Sequence, residues 1–309
     1  MNAVELKNVS KTFKQYSAVR NVSFSIKQGE VVSILGPNGA GKTTTILMML
    51  GLLDSSEGEV ALFGKHPKEQ SIKKRIGAML QEVSVLDGLT VEEVIDLFRS
   101  YYPEPLSKKE LLELSMLEKE TKRKTDKLSG GQKRRLNFAL AMAGDPDLLF
   151  LDEPTVGMDT TSRRVFWEKI KRLSTEGKTV IFTTHYLQEA DDMSDRIILF
   201  KKGSIAAEGT PAEIKSLLSK KSVSFISDDK KAAVSLRALP FTTAVYKKGD
   251  RYYAETEDTD GVLDFIFKHG IKAKEIMIDH GRLEEAFEQL LNENERGIEN
   301  ERISNAMQG

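Results

Sequence analysis

Two stretches near the start of the chain, VELKNVSKTF and VRNVSFSIKQG, alternate apolar and polar positions. This period of two belongs to antiparallel strands with one face buried and one in water. From Glu30 the pattern changes: EVVSIL is continuously apolar, which predicts a central strand covered on both faces. A glycine-rich turn follows, and TTTILMMLGLL then predicts a helix ending at Asp54-Ser55-Ser56. DLLFLDEP and KTVIFTTH predict two more buried strands, each followed by a helical stretch, TSRRVFWEKIKRLS and YLQEADDMS. RIILFKKGSIAAEG predicts a hairpin turning at Lys202-Gly203. Between these strands, VEEVIDLFRSYY and SKKELLELSMLEKE are charged and helical, marking a helical insertion over about residues 88–135.

A boundary is expected at Lys220-Lys221-Ser222, making residues 1–221 one domain. Beyond it the pattern predicts a strand (SVSFIS), a helix-like stretch, a hairpin turning at Lys248-Gly249-Asp250, a helix (DGVLDFIFKHG), a strand (EIMID) and an amphipathic helix (RLEEAFEQLLN). Residues 222–291 therefore read as a small α+β module with its own core, and residues 292–309 as a polar, disordered tail. No internal repeat is present.

Composition narrows the function. The 309 residues carry 46 Lys and Arg against 47 Asp and Glu, a net charge of −1 that exerts no global pull on nucleic acid. The absence of cysteine excludes disulfides and thiolate-ligated metals. The N-terminus has no apolar core of signal-peptide length, and runs such as Ile46 to Leu53 and Leu148 to Leu151 are too short to cross a bilayer.

Two motifs carry chemistry. Gly36-Pro37-Asn38-Gly39-Ala40-Gly41-Lys42-Thr43, followed by Thr44, fits G-x-x-x-x-G-K-[ST] between a buried strand and a helix. The glycines let the backbone curl so that N–H groups point at phosphate oxygens at the positive end of the helix. Lys42 supplies a cation for the β- and γ-phosphates of ATP, and the Thr43 hydroxyl suits Mg²⁺. The second motif is the apolar run Leu148 to Leu151 ending in two acids. Asp152 is placed to hold Mg²⁺, and Glu153 to polarise a water for in-line attack on the γ-phosphate. Acids at a strand end are otherwise ordinary solvated loop residues; the phosphate cradle in the same chain favours the functional reading.

Leu128-Ser129-Gly130-Gly131-Gln132 is identical to the signature of ABC-type ATPases and lies upstream of the Asp152 strand, as in that family. Taken alone it is also a good helix cap. The resemblance covers about residues 4 to 220. It implies an α/β P-loop NTPase cassette with a RecA-like core, an antiparallel β subdomain and a helical insertion, joined here to the small C-terminal α+β domain. It implies that Ser129 and Gly131 close over ATP bound to the opposite subunit of a head-to-tail dimer. Gln81 matches the Q-loop glutamine, which contacts Mg²⁺ and the attacking water, and His185 the histidine that hydrogen-bonds the γ-phosphate. Val156-Gly157-Met158-Asp159 matches the D-loop, with Met158 where the family usually has Leu. The family also stacks an aromatic on adenine; counting back from the cradle favours Phe13, with Tyr16 as the alternative. Trp167 reads as core packing.

LSGGQKRRLNFALAMAGDPDLLFLDEPTVGMD and TTHYLQEADDMSDRI resemble bacterial ABC-2-type exporters, a group that includes drug and antibiotic efflux systems, as does the Leu283 to Phe287 segment. That resemblance implies an ATPase at the cytoplasmic face of the membrane, held there by a separate permease and paired with itself or a related ATPase. The rival reading is a soluble ABC ATPase of DNA repair or translation, disfavoured by the single cassette and the absence of cysteine or a long coiled coil. A nucleotide-binding sensor without turnover is disfavoured by the intact Glu153 and His185. The transported substrate has no signature in this chain.

Overall fold

The computed structural model describes residues 1–80, 87–218, 221–229, 232–279, 283 and 287. Two compact units, Met1–Thr210 and Pro211–Gly309, account for the chain. The division lies ahead of the boundary expected at Lys221: Pro211 opens a helix that sequence patterning alone did not separate from the first unit.

The first unit opens with the predicted antiparallel pair, β1 (Asn2–Phe13) and β2 (Tyr16–Lys27), and β3 (Val31–Leu35) then enters a second sheet. Helix α1 (Lys42–Met49) stops earlier than its apolar run suggested, because Gly51 takes φ +68 and turns the chain. Next come β4 (Glu57–Leu62), α2 (Gln70–Lys73) and β5 (Ile76–Met79). The helical insertion comprises α3 (Val91–Arg99), α4 (Lys108–Ser115) and α5 (Gly130–Met142). The unit closes with β6 (Leu148–Asp152), α6 (Thr160–Thr175), β7 (Thr179–Thr183), α7 (Leu187–Met193) and the hairpin β8 (Arg196–Lys201)–β9 (Ser204–Gly209).

The main sheet has the order β5-β6-β7-β3-β8-β9, parallel except for β9; β2-β1-β4 form a separate antiparallel sheet. Alternate residues of the parallel strands enter two different cores. Leu149, Leu151, Val180 and Phe182 pack with α5, α6 and the insertion, where Trp167 lies 3% exposed. Leu148, Phe150, Ile181 and Ile34 pack with α1 and the antiparallel sheet. Both faces are covered, which is why these strands are buried throughout and largely apolar, with Ser33 inside β3 and polar residues at the ends of β6 and β7. Arg196 ties the sheets together, donating to Glu30 Oε1 at 2.7 Å and to the Ser25 carbonyl at 2.5 Å.

The second unit contains α8 (Pro211–Leu218), β10 (Ser222–Ile226), α9 (Ala232–Arg237), β11 (Thr242–Lys248), β12 (Arg251–Thr256), α10 (Thr259–Lys268) and β13 (Lys274–Asp279). The strands form one antiparallel sheet, β11-β12-β10-β13, over a core including Phe225, Leu236, Tyr252, Val262 and Ile266. Leu283 and Phe287, from the expected last helix, are helical, and Leu283 is buried. The rest of that helix and the tail lie outside the described residues.

Candidate active site

A cleft of about 390 Å³ opens where β3 passes into α1 and where β6 and β7 end. Parallel strands deliver their C-terminal ends to the same edge of the sheet, so residues 36–44, 152–153 and 185 converge there despite their separation in sequence.

The cradle's backbone depends on missing side chains. At Gly36 (φ +149) a Cβ would sit 2.4 Å from the Phe200 carbonyl oxygen, and at Gly41 (φ +103) 2.7 Å from the Ala18 carbonyl oxygen. No L-residue with a side chain fits either place. Gly41 is also the N-cap of α1, and it offers no side-chain cap; the first turn carries no acid. By contrast α3, α4 and α5 are closed by capping boxes and α6 by Asp159. The first amides of α1 therefore face the cleft without a side-chain acceptor, an arrangement fitted to an anion. Lys42 Nζ donates to the carbonyls of Gly36 (2.6 Å) and Pro37 (3.0 Å). Burial holds its ammonium below the usual lysine range, while Asp152 and Glu153 pull the other way. Asn38 through Thr44 line the cleft; Gly36 and Pro37 contribute through their carbonyls.

Opposite the cradle, Asp152 (5% exposed) accepts a short hydrogen bond at Oδ1 from the Thr183 hydroxyl, its register partner on β7. The same threonine accepts from the Glu153 amide through both its hydroxyl (3.1 Å) and its carbonyl (3.2 Å). Glu153 is thereby held at φ +50, in the left-handed region that costs a residue with a Cβ about 1–2 kcal/mol. Its carboxylate lies against His185, Oε1 to Nε2 2.7 Å. Among the described residues no cluster of three or more acidic or His ligands exists, so a cation here would need oxygens from its anionic ligand besides Asp152 and Thr43.

The other expected residues fall into three groups. Gln81 lies outside the described residues. Ser129 and Gly131 do not line the cleft: Ser129 is exposed and caps α5, its Oγ accepting from the Gln132 amide at 3.2 Å. Gly131 sits so close to the loop at 156–159 that a Cβ would be 2.8 Å from the Gly157 carbonyl oxygen. Met158 is buried in the core shared with α5 and α6, as a flexible apolar side chain allows. Of the two aromatic candidates, Tyr16 lines the cleft, with its hydroxyl 3.4 Å from the Gly39 carbonyl oxygen. Phe13 is its cross-strand neighbour at the hairpin end, 45% exposed, with Lys11 Nζ 5.2 Å from its ring, and it is not part of the lining. The turn at Lys14-Gln15 places the two rings side by side, so both candidates from the sequence stay at the same end of the hairpin. Sequence reasoning also missed Thr183 and Arg134. The Arg134 guanidinium on α5 donates to the Asp152 carbonyl at 3.3 Å, and its only sequence signal was its place three residues after Gly131.

The ABC transporter family profile matches residues 19–156. The Nod factor export ATP-binding protein I of Burkholderia lata is 38% identical over 215 residues, 67% of this chain and 71% of that protein. The probable multidrug ABC transporter ATP-binding protein YbhF of Escherichia coli is 40% identical over 222 residues, 69% of this chain and 38% of that protein. A dimeric ATP-binding cassette solved in a post-hydrolysis state with ADP and Pi superposes with a TM-score of 0.62 at 32% identity, over 67% of this chain and 98% of that one. With the cradle, the acid pair and the fold already in place, these likenesses establish that the chain belongs to the ATP-binding proteins of ABC transporters.

Proposed function

We propose that this chain is the ATP-hydrolysing motor of an exporter of the ABC-2 type, driving a drug- or antibiotic-like substrate through a separate permease from the cytoplasmic face of the membrane. The observation that carries the chemistry is the Glu153–His185 contact facing the uncapped start of α1 across one cleft. In this reading the amides of residues 39–44 and Lys42 bind the ATP phosphates, and Tyr16 stacks on the adenine. Thr43, Asp152 and Gln81 would hold Mg²⁺, which would supply charge neutralisation on the phosphates. Glu153 takes a proton from water as its oxygen attacks the γ-phosphorus and the bond to the bridging oxygen breaks, giving ADP and Pi. His185 orients Glu153 and donates to the transferred phosphoryl group.

A second cassette completes the site. Ser129 and Gly131 lie away from the cradle of their own chain, so a head-to-tail pair with two-fold symmetry would bring each signature to the other chain's ATP. Among the described residues no helix is long and apolar enough to cross a membrane, so a membrane step falls to a partner. Phosphate release by the purified chain, compared with Glu153→Gln, tests the chemistry. Co-purification with a polytopic membrane protein tests the assembly.

A further inference from the structure

Glu189 lies outside the cleft, yet it is as deeply buried as Asp152, 6% against 5% exposed. A buried carboxylate is costly unless its oxygens are bonded, and here each has a partner from a different segment. Oε1 accepts from the Thr155 hydroxyl at 2.6 Å, and Oε2 from the Thr184 hydroxyl at 2.6 Å. Thr155 stands two residues after Glu153, and Thr184 immediately before His185. Thr184 is oriented in turn, because its hydroxyl accepts from the Tyr186 amide at 3.0 Å. A third segment meets the same carboxylate. Arg163 Nε, buried and without a hydrogen bond, lies 3.5 Å from Oε1, and its guanidinium carbon is 4.1 Å from the centre of the Tyr186 ring. Arg163 is one helical turn beyond Asp159, to whose carbonyl its amide donates at 2.9 Å. One side chain thus joins the loop after Glu153, the start of α6 and the turn that carries His185.

We propose that Glu189 is a positioning residue. It fixes the backbone of residues 153–155 against that of 184–186, so that Glu153 and His185 keep their 2.7 Å contact and move together. Through Arg163 it also transmits displacement of the 156–159 loop to His185. Glu189 touches neither nucleotide nor water in this scheme; its effect passes through the two hydroxyls. The inference rests on the assignment of Glu153 and His185 to hydrolysis.

The test compares full-length wild type, Glu189→Ala, Glu189→Gln, Thr155→Val and Thr184→Val, each also in a His185→Ala background. Phosphate release gives kcat and KM for MgATP, with single-turnover measurement for the slow variants. Loss of alignment predicts kcat lower by about 10- to 100-fold in Glu189→Ala, with KM within about threefold of wild type. Glu189→Gln, which keeps one acceptor oxygen, restores part of the rate. The near-isosteric Thr→Val variants fall in between and stand in for Glu189→Ala if that protein does not fold. In the His185→Ala background none of these changes lowers kcat further, because the Glu153–His185 contact that Glu189 maintains is gone. A general packing role would lower kcat by the same factor in both backgrounds. That multiplicative result overturns the proposal, as does unchanged kcat in Glu189→Ala and both Thr→Val variants. Full turnover in His185→Ala alone is a separate failure: it overturns the hydrolytic assignment, and this inference with it.

Discussion

The imidazole of His185, at the end of β7, meets the carboxylate of Glu153, at the end of β6, with Nε2 2.7 Å from Oε1. The two strands are neighbours in the sheet, and the Thr183 hydroxyl stands between the acids, donating to Asp152 and accepting from the Glu153 amide. Glu153 thus has a histidine against its carboxylate on one side and, at φ +50, a threonine bonded to its amide on the other.

The first prediction follows from that contact. Glu153→Gln keeps the shape of the site and removes the proton acceptor, so turnover should fall by about 10²–10⁴-fold. Nucleotide affinity should stay near wild type, since cradle and Thr43 are untouched. Phosphate release and equilibrium nucleotide binding measure the two quantities, and near wild-type turnover would refute the assignment of Glu153.

Binding and chemistry should separate by residue. Lys42→Ala removes the half-buried cation of the cradle and should weaken ATP binding itself. Tyr16→Ala should cost about 1–3 kcal/mol of affinity if the ring stacks on adenine, whereas Phe13→Ala, outside the lining, should leave affinity unchanged. The reverse order of the two aromatic variants in a binding titration would restore Phe13 as the stacking residue.

Assembly gives a third test. Light scattering of Glu153→Gln should show a dimer with ATP and a monomer without it. Ser129→Arg should abolish that dimer, because Ser129 is exposed at the start of α5 and a long side chain would overfill the space for the opposite phosphate. Gly131→Ala should weaken it by pushing the 156–159 loop away from the Gly157 carbonyl contact.

The start of α6 should be sensitive to pH. Asp159 caps it, and the Ser162 amide, followed by the Ser162 hydroxyl, holds the Asp159 carboxylate below its usual range. For an acid with a lowered folded-state pKa, the stabilisation is present above the unfolded value and lost as pH falls through the folded one. Asp159→Ala should therefore lower the melting temperature near neutral pH, and the gap from wild type should close at acid pH. A gap of constant size across the titration would show that the carboxylate charge is not what caps the helix.

The C-terminal unit has a separate core, with Phe225 and Ile266 fully buried, and we expect it to tune the dimer rather than bind nucleotide. A chain ending at Thr210 should bind ATP with wild-type affinity but dimerise more weakly. Loss of ATP binding on truncation would make this unit part of the nucleotide site.

Local chemistry made much of this protein legible in the chain itself. A parallel strand buried on both faces reads as a near-continuous apolar run, so β3, β6 and β7 announce themselves despite Ser33, Asp152 and the threonines at the ends of β7. A phosphate cradle needs glycines where Gly36 and Gly41 approach carbonyl oxygens, so its spacing survives as a motif. The hairpin at Lys202-Gly203 shows for the same reason, both residues having positive φ. Other features depend on which segments meet in space. That Tyr16 rather than Phe13 reaches the cleft is set by the register of β1 on β2 and by where the hairpin turns. That Thr183 stands beside Asp152 is set by the pairing of β6 with β7. Glu189 carries no signal in the chain, because its partners Thr155, Arg163 and Thr184 lie on three separate segments. A motif records the local backbone a site requires; contacts between distant segments arise only when the sheet brings their ends together.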